Sequence, residues 1–133
     1  MKLQFKPGDE LEFRKTIQPD EIAQFESGTV HAVYSTFAIA RDAEWSGRLF
    51  VLQMKEDDEE GIGTFIHVNH RSAAFPGQEV QFISRFERIE ENGEIITSFK
   101  ALQKNRLIAE GQQGQRILPK DKLEAIFRKL QAE

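Results

Sequence analysis

The chain predicts an α+β fold in which one long central helix is wrapped by a curved antiparallel β-sheet. Three observations carry that expectation. From Phe37 to Met54, apolar and small residues leave few positions fully polar, the pattern of a helix enclosed on several sides. From Ile62 to Leu118, runs of alternating residues are separated by turn signals, as in consecutive strands. The order is also informative, because a strand-like stretch precedes the helix and the remaining strands follow it.

The 133 residues fit a single domain, 1–133, with one core. Apolar content is 39% and charged content 30%, so apolar residues must be used economically, and eleven Phe against one Trp and one Tyr assign much of the core to Phe. A net charge of −4 argues against a general nucleic-acid binder, which needs a clustered basic surface. The absence of Cys excludes disulfides, thiol nucleophiles and thiolate metal sites. The opening residues hold no apolar run, and no window approaches 18 apolar residues, so neither a signal peptide nor a membrane span is expected. The expected location is cytoplasmic.

Lys6-Pro7-Gly8-Asp9 is a turn signal, and Leu11 and Phe13 alternating with charge read as a first strand on the sheet edge. Pro19 predicts a short helical turn through Ala23 and Phe25, ended by Ser27-Gly28. Thr29 to Tyr34 is β-branched, either a short extended piece or a loop. Ser35 or Thr36 is the N-cap of the long helix, whose 18 residues would span about 27 Å. The acidic run Lys55 to Glu60 reads as a solvated loop. Beyond it, Ile62–His70, Glu79–Ile89, Glu94–Gln103 and Leu107–Leu118 read as four strands of a meander, the last interrupted by two glycines. Asn92-Gly93 is the strongest hairpin signal, supplying positive φ angles for a tight turn. Pro119 to Gln131 is an amphipathic helix with Leu123, Ile126, Phe127 and Leu130 on one stripe.

Within this frame, one stretch carries further information. Thr36 stands at the helix start, Glu44-Trp45 follows eight residues on, and Gly63-Thr64 opens the next strand. His70 closes that strand, and a run of small residues leads to Pro76-Gly77. In order and spacing this stretch resembles the fluoroacetyl-CoA thioesterase-like family of hotdog proteins, with weaker similarity to about Arg116. The resemblance implies a hotdog fold and hydrolysis of an acyl-CoA thioester. It implies Thr36, Glu44 and His70 as the catalytic trio and Gly63, Arg71 and Arg116 as substrate-binding residues. Coenzyme A is then part of the substrate, and no separate cofactor is expected. The family's aromatic lid has no residue-by-residue counterpart in Phe25–Val30, so fluoroacetyl selectivity is not expected. The family's basic residue on the last strand falls at Gln115-Arg116, where a slip of one residue reverses the face.

Read on their own chemistry, these residues keep alternatives. A Thr at a helix start is an ordinary cap, and its hydroxyl is a poor nucleophile without a base. Glu44 interrupts the most apolar helix, so it either faces a pocket or belongs to a surface ion-pair ladder with Arg41 and Arg48. His67 and His70 lie on opposite faces of a strand and cannot share a metal, so no metal site is expected. No GxSxG elbow or Gly-rich phosphate loop occurs. In the implied mechanism the acyl oxygen rests on backbone N–H groups at a helix start. Glu44 attacks the carbonyl or activates water, His70 moves protons, and Thr36 orients one of them. Arg71, Lys104, Arg106 and Arg116 are expected to converge near the pocket mouth and favour an anionic ligand. Two other functions fit the same fold, a non-catalytic acyl-CoA binder and a dehydratase, although the Asp-to-His spacing of the latter is not found. Thr36 and Glu44 are about 12 Å apart along one helix, so a single site holding both predicts a homodimer with composite sites.

Overall fold

The computed structural model describes residues 1–133. The elements in order are β1 (Glu10–Thr16), β2 (Ile22–Phe25), β3 (Gly28–Tyr34), α1 (Thr36–Met54), β4 (Glu59–His70), β5 (Glu79–Ile89), β6 (Ile95–Gln103), β7 (Arg106–Pro119) and α2 (Lys120–Gln131). Five strands form one antiparallel sheet in the order β1-β5-β6-β7-β4, while β2 and β3 form a separate hairpin. Helix α1 packs against all five strands. No helix is long and apolar enough to cross a membrane.

Four sequence expectations need correction. The stretch expected to form a helical turn after Pro19 is strand β2, because its residues pair with β3. Strand β4 does not neighbour β5 in a four-strand meander. It crosses over to pair with β7 from Glu59↔Pro119 to His70↔Ala109, leaving β1 and β4 as the two sheet edges. At Asn92-Gly93 only Gly93 is left-handed, at φ 87°, and its N–H donates to Glu90 O at 2.9 Å. The loop is therefore a turn closed by one left-handed glycine, not a two-residue turn needing positive φ twice. Glycines do not interrupt β7, which runs unbroken through Gly111 and Gly114.

The core lies between α1 and the concave face of the sheet. Ile39 and Ala43 pack with Val80, Phe82, Phe99 and Ile108, and a second cluster gathers Phe50 and Met54 with Phe86 and Ile95. Phe82 stacks on Phe13 at 5.0 Å between centroids, and Phe50 meets Phe5 edge-on at 4.8 Å. The expectation that Phe fills the core holds only in part. Phe25, Phe37, Phe65, Phe75 and Phe127 are exposed, four of them around the hairpin tip, the start of α1, the free edge of β4 and the turn at Pro76. Helix α2 buries only Leu123 of its apolar stripe; Ile126, Phe127 and Leu130 face outward.

Beneath the middle of α1 the core is polar. Gln113 donates to Thr97 Oγ1, and Gln115 Nε2 donates to Gln113 Oε1 at 2.9 Å, all three side chains being almost fully buried. Gly47 lies directly above them: a Cβ there would overlap the Gln113 amide and come within 2.7 Å of Thr97 Oγ1. Gly47 thus sets how closely the helix approaches the sheet. Gly47→Ala should lower stability by about 2 kcal/mol in urea denaturation through overpacking. Helix propensity alone predicts a gain of about 1 kcal/mol from the same change, so the sign decides between the two.

Candidate active site

Helix α1 begins where Ser35 caps it. The Ala38 N–H donates to Ser35 Oγ at 3.0 Å, and the Ile39 N–H to Ser35 O at 2.9 Å. The cap role therefore falls to Ser35, which frees the Thr36 hydroxyl. That hydroxyl lies 2.9 Å from His70 Nδ1 at the far end of β4, one hydrogen bond whose direction sets the imidazole tautomer. The other ring nitrogen, His70 Nε2, is shielded from solvent and has no partner. A shielded imidazole nitrogen without a partner is available to a bound ligand or to proton transfer. Thr36 and Phe37 also present first-turn N–H groups that have no partner inside the helix.

Beside Thr36, the hairpin and the start of α1 enclose a groove of about 450 Å³, lined on its apolar side by Ile22, Ala23, Phe25, Phe37 and Ala38. A second cavity, of about 340 Å³, lies further along the helix around Glu44, with Arg41, Arg48, Gly61, Gly63 and Gln115. Arg41 lines both.

Glu44 is not part of an ion-pair ladder. Arg48 is bonded to Glu60 at 2.8 Å and Arg41 to Glu21 and Asp42, while the Glu44 carboxylate makes no salt bridge. It lies flat on β4, where a Cβ at Gly63 would overlap its Oε1. Further along the helix Val51 occupies the space over Gly61, where a Cβ would come within 2.6 Å of its Cγ1, with Arg48 Nη1 in ordinary contact at 3.4 Å. Both glycines of Gly-x-Gly on β4 thus admit side chains of α1.

Gly63 and His70 are seven residues apart, which in an unbroken strand puts them on opposite faces. A bulge between Gly63 and Phe65 absorbs one residue, since Gly63 pairs with Gln115 and Phe65 with Gly114. Both Gly63 and His70 therefore face α1. Within one chain, however, Thr36 and His70 meet at one end of β4 while Glu44 and Gly63 meet towards the other.

The remaining sequence candidates are dispersed. Arg71 faces away from α1 and pairs with Glu110 at 3.2 Å. Arg116 does not line the Glu44 cavity; that position belongs to Gln115, and Arg116 lies on the opposite face with its Nε shielded and unpartnered. The expected convergence of basic residues is not formed. Arg106 is bonded to Ser72 Oγ at 2.8 Å and to Ala73 O, and Lys104 lines a separate depression with Arg14 and Glu79.

Sequence reasoning missed a charge cluster beneath the groove. Lys15 bridges Glu21 and Asp42, Arg41 bonds both carboxylates, and the Tyr34 hydroxyl donates to Asp42 Oδ2. Glu21 and Asp42 are buried, and two cations balance two carboxylates. The one visible signal was Asp42, a second carboxylate in the apolar helix. Burial alone would raise the Glu21 carboxyl, but hydrogen bonds from Lys15, the Gln18 N–H and Arg41 hold it below its ordinary value. Burial, reinforced by Asp42, pushes the Tyr34 phenol far up, so it stays a neutral donor. The cluster joins β1 and α1 to both stems of the hairpin, which shares no ladder with the main sheet.

This architecture places the chain in the hotdog thioesterase superfamily. It superposes on a hypothetical protein from Thermus thermophilus described as a thioesterase superfamily member, at 35% identity over 96% of this chain and 93% of that one, with a TM-score of 0.91. The sequence profile of the fluoroacetyl-CoA-specific thioesterase family matches residues 17–121, and the chain belongs to that family. The fluoroacetyl-CoA thioesterase itself shares the fold at 18% identity over 94% of this chain and 96% of that one, TM-score 0.85. A variant of that enzyme solved with fluoroacetate and CoA matches at 18% identity over 90% and 99%, TM-score 0.80. Among curated proteins none matches.

The charge cluster has a defined pH signature. Because the folded-state value of Glu21 lies below the ordinary 4.5, its contribution to stability is complete above that pH and is lost as pH falls through the folded value. Denaturation midpoints should therefore decline below about pH 4.5. Glu21→Gln should flatten that limb and, by leaving a buried cation uncompensated, cost about 3 kcal/mol at neutral pH.

Proposed function

We propose that the protein hydrolyses the thioester of a small acyl-CoA at two composite sites of a homodimer. The observation that carries the reading is the Thr36–His70 hydrogen bond beside an apolar groove, with a shielded imidazole nitrogen left over. Family membership supports thioester hydrolysis, and the structure of the family's namesake with fluoroacetate and CoA supports CoA as the carrier. The acyl chain occupies the groove, and its carbonyl oxygen accepts from the N–H groups at the start of α1, where the helix dipole favours developing negative charge. Glu44 acts on the carbonyl carbon as nucleophile or through water, and His70 returns a proton to the leaving thiolate. The apolar groove favours short aliphatic or aromatic acyl groups.

The dimer follows from the edges of the sheet. β1 presents Glu10, Glu12 and Arg14 outward, charges that discourage pairing, whereas the free edge of β4 carries Thr64, Phe65 and Ile66 uncharged and exposed. Antiparallel pairing of β4 with its copy about an axis through His67 sets Gly63 opposite the partner's His70, because the bulge at Thr64 leaves six ladder positions between them. Glu44, lying on Gly63, then joins the Thr36–His70 pair of the partner, an arrangement a two-fold permits.

Thiol release from a panel of short, branched and aromatic acyl-CoAs tests the reading; binding without thiol release would instead mark a non-catalytic acyl-CoA binder. Glu44→Ala should lower kcat by about 100-fold or more with the fold intact by circular dichroism. Thr36→Ala and Glu44→Ala chains, unfolded and refolded together, should regain about a quarter of wild-type sites. No recovery, or a monomer by light scattering, excludes the shared site.

A further inference from the structure

The amide of Gln115 has one orientation only. Its nitrogen faces two acceptors, Gln113 Oε1 at 2.9 Å and the backbone carbonyl of Glu44 at 3.4 Å. Turning the amide over would set oxygen against oxygen at the Glu44 carbonyl, which has no proton to give. Gln113 is fixed in turn by Thr97, and Gly47 above leaves the chain no room to shift. The Gln115 carbonyl oxygen is thereby left on the cavity side. It accepts no hydrogen bond from the chain, and it lies on the Gly61 side of the same floor on which Glu44 covers Gly63. Gln115 and Gly63 are directly paired across β7 and β4.

The cavity thus holds two acceptors that the chain leaves free, the held Gln115 carbonyl and the exposed Glu44 carboxylate, over the neighbouring glycines Gly61 and Gly63. A ligand seated between them must donate two protons. A thioester has none to donate, and water has two. We propose that Gln115 and Glu44 together hold the hydrolytic water, so that Glu44 works as general base and not as nucleophile. This rests on the thioesterase reading above.

The water oxygen attacks the acyl carbon while one of its protons passes to Glu44; the other stays on the attacking oxygen, hydrogen-bonded to the Gln115 carbonyl. Collapse of the tetrahedral species breaks the C–S bond. The thiolate takes the proton from Glu44, directly or by way of His70, and the products are one carboxylic acid and one thiol. The pairing of Gln115 with the carbonyl of Glu44 also explains why a neutral amide stands here: a carboxylate would face that carbonyl with no proton between them.

The test is competition between nucleophiles. Turnover of an acyl-CoA that the wild type hydrolyses is followed in hydroxylamine, with the uncatalysed rate subtracted, and acid and hydroxamate are measured separately. Gln115→Leu should lower kcat for hydrolysis on the order of 100-fold, leave KM within about twofold, and raise the hydroxamate-to-acid ratio at least about tenfold. Because Gln115→Leu strands the Gln113 acceptor, the paired variant Gln113→Leu/Gln115→Leu is measured beside it and should show the same ratio. A residue that only supports the fold lowers both products together, so an unchanged ratio in a folded variant overturns the proposal while leaving the thioesterase reading standing. In a single turnover in ¹⁸O-water, label on the Glu44 carboxylate also overturns it, since that marks a covalent intermediate. Absence of thiol release from every acyl-CoA overturns the thioesterase reading and this proposal with it.

Discussion

The close approach of α1 to the sheet is the constraint on which the rest of the molecule depends. Gly47 on the helix and Gly61 and Gly63 on β4 remove side chains where the two elements come nearest. Without those gaps Glu44 and Val51 would be lifted off β4, and the buried amides of Gln113 and Gln115 would lose their fit beneath the helix. The same closeness brings Thr36 within hydrogen-bonding distance of His70. One packing distance therefore sets a core feature, a cavity and the Thr36–His70 pair.

The helix, the strands from β4 onward and the nearness of Thr36 to His70 were legible in the sequence, because each rests on local periodicity or on a contiguous resemblance. What it hid was non-local. Nothing near Glu59–His70 indicates that β4 pairs with β7 instead of β5, since hydrophobic alternation does not name a partner. The bulge at Thr64 was equally hidden, and it decides that Gly63 and His70 share a face. The choice between Gln115 and Arg116 shows the same limit. A basic residue, Arg116, was expected to face the site, and the register with Gly63 puts the neutral Gln115 in the cavity instead. Pairing among Lys15, Glu21, Arg41 and Asp42 joins residues up to 27 positions apart, so no window of sequence contains it.

Two buried polar systems serve different ends here. The amide chain Thr97–Gln113–Gln115 carries no formal charge and stiffens the floor beneath Glu44. The four-charge cluster is electroneutral and lies under the groove, where it ties separate pieces of backbone together. Burying charge is costly unless every partner is present, and the compensation among these four groups satisfies that condition. Arg41 belongs to the cluster yet reaches both cavities, joining the anchoring charges to the groove beside Thr36 and to the cavity around Glu44.

The hairpin of β2 and β3 shares no backbone ladder with the five-stranded sheet and is fastened only near its stems, through Glu21 and Tyr34. Its length and side chains can therefore drift over evolutionary time without shifting the register that holds His70 and Gly63. The wall of the groove beside Thr36 can thus be remodelled while the Thr36–His70 and Glu44–Gly63 contacts stay as they are. Change on that wall is confined to a module outside the main sheet.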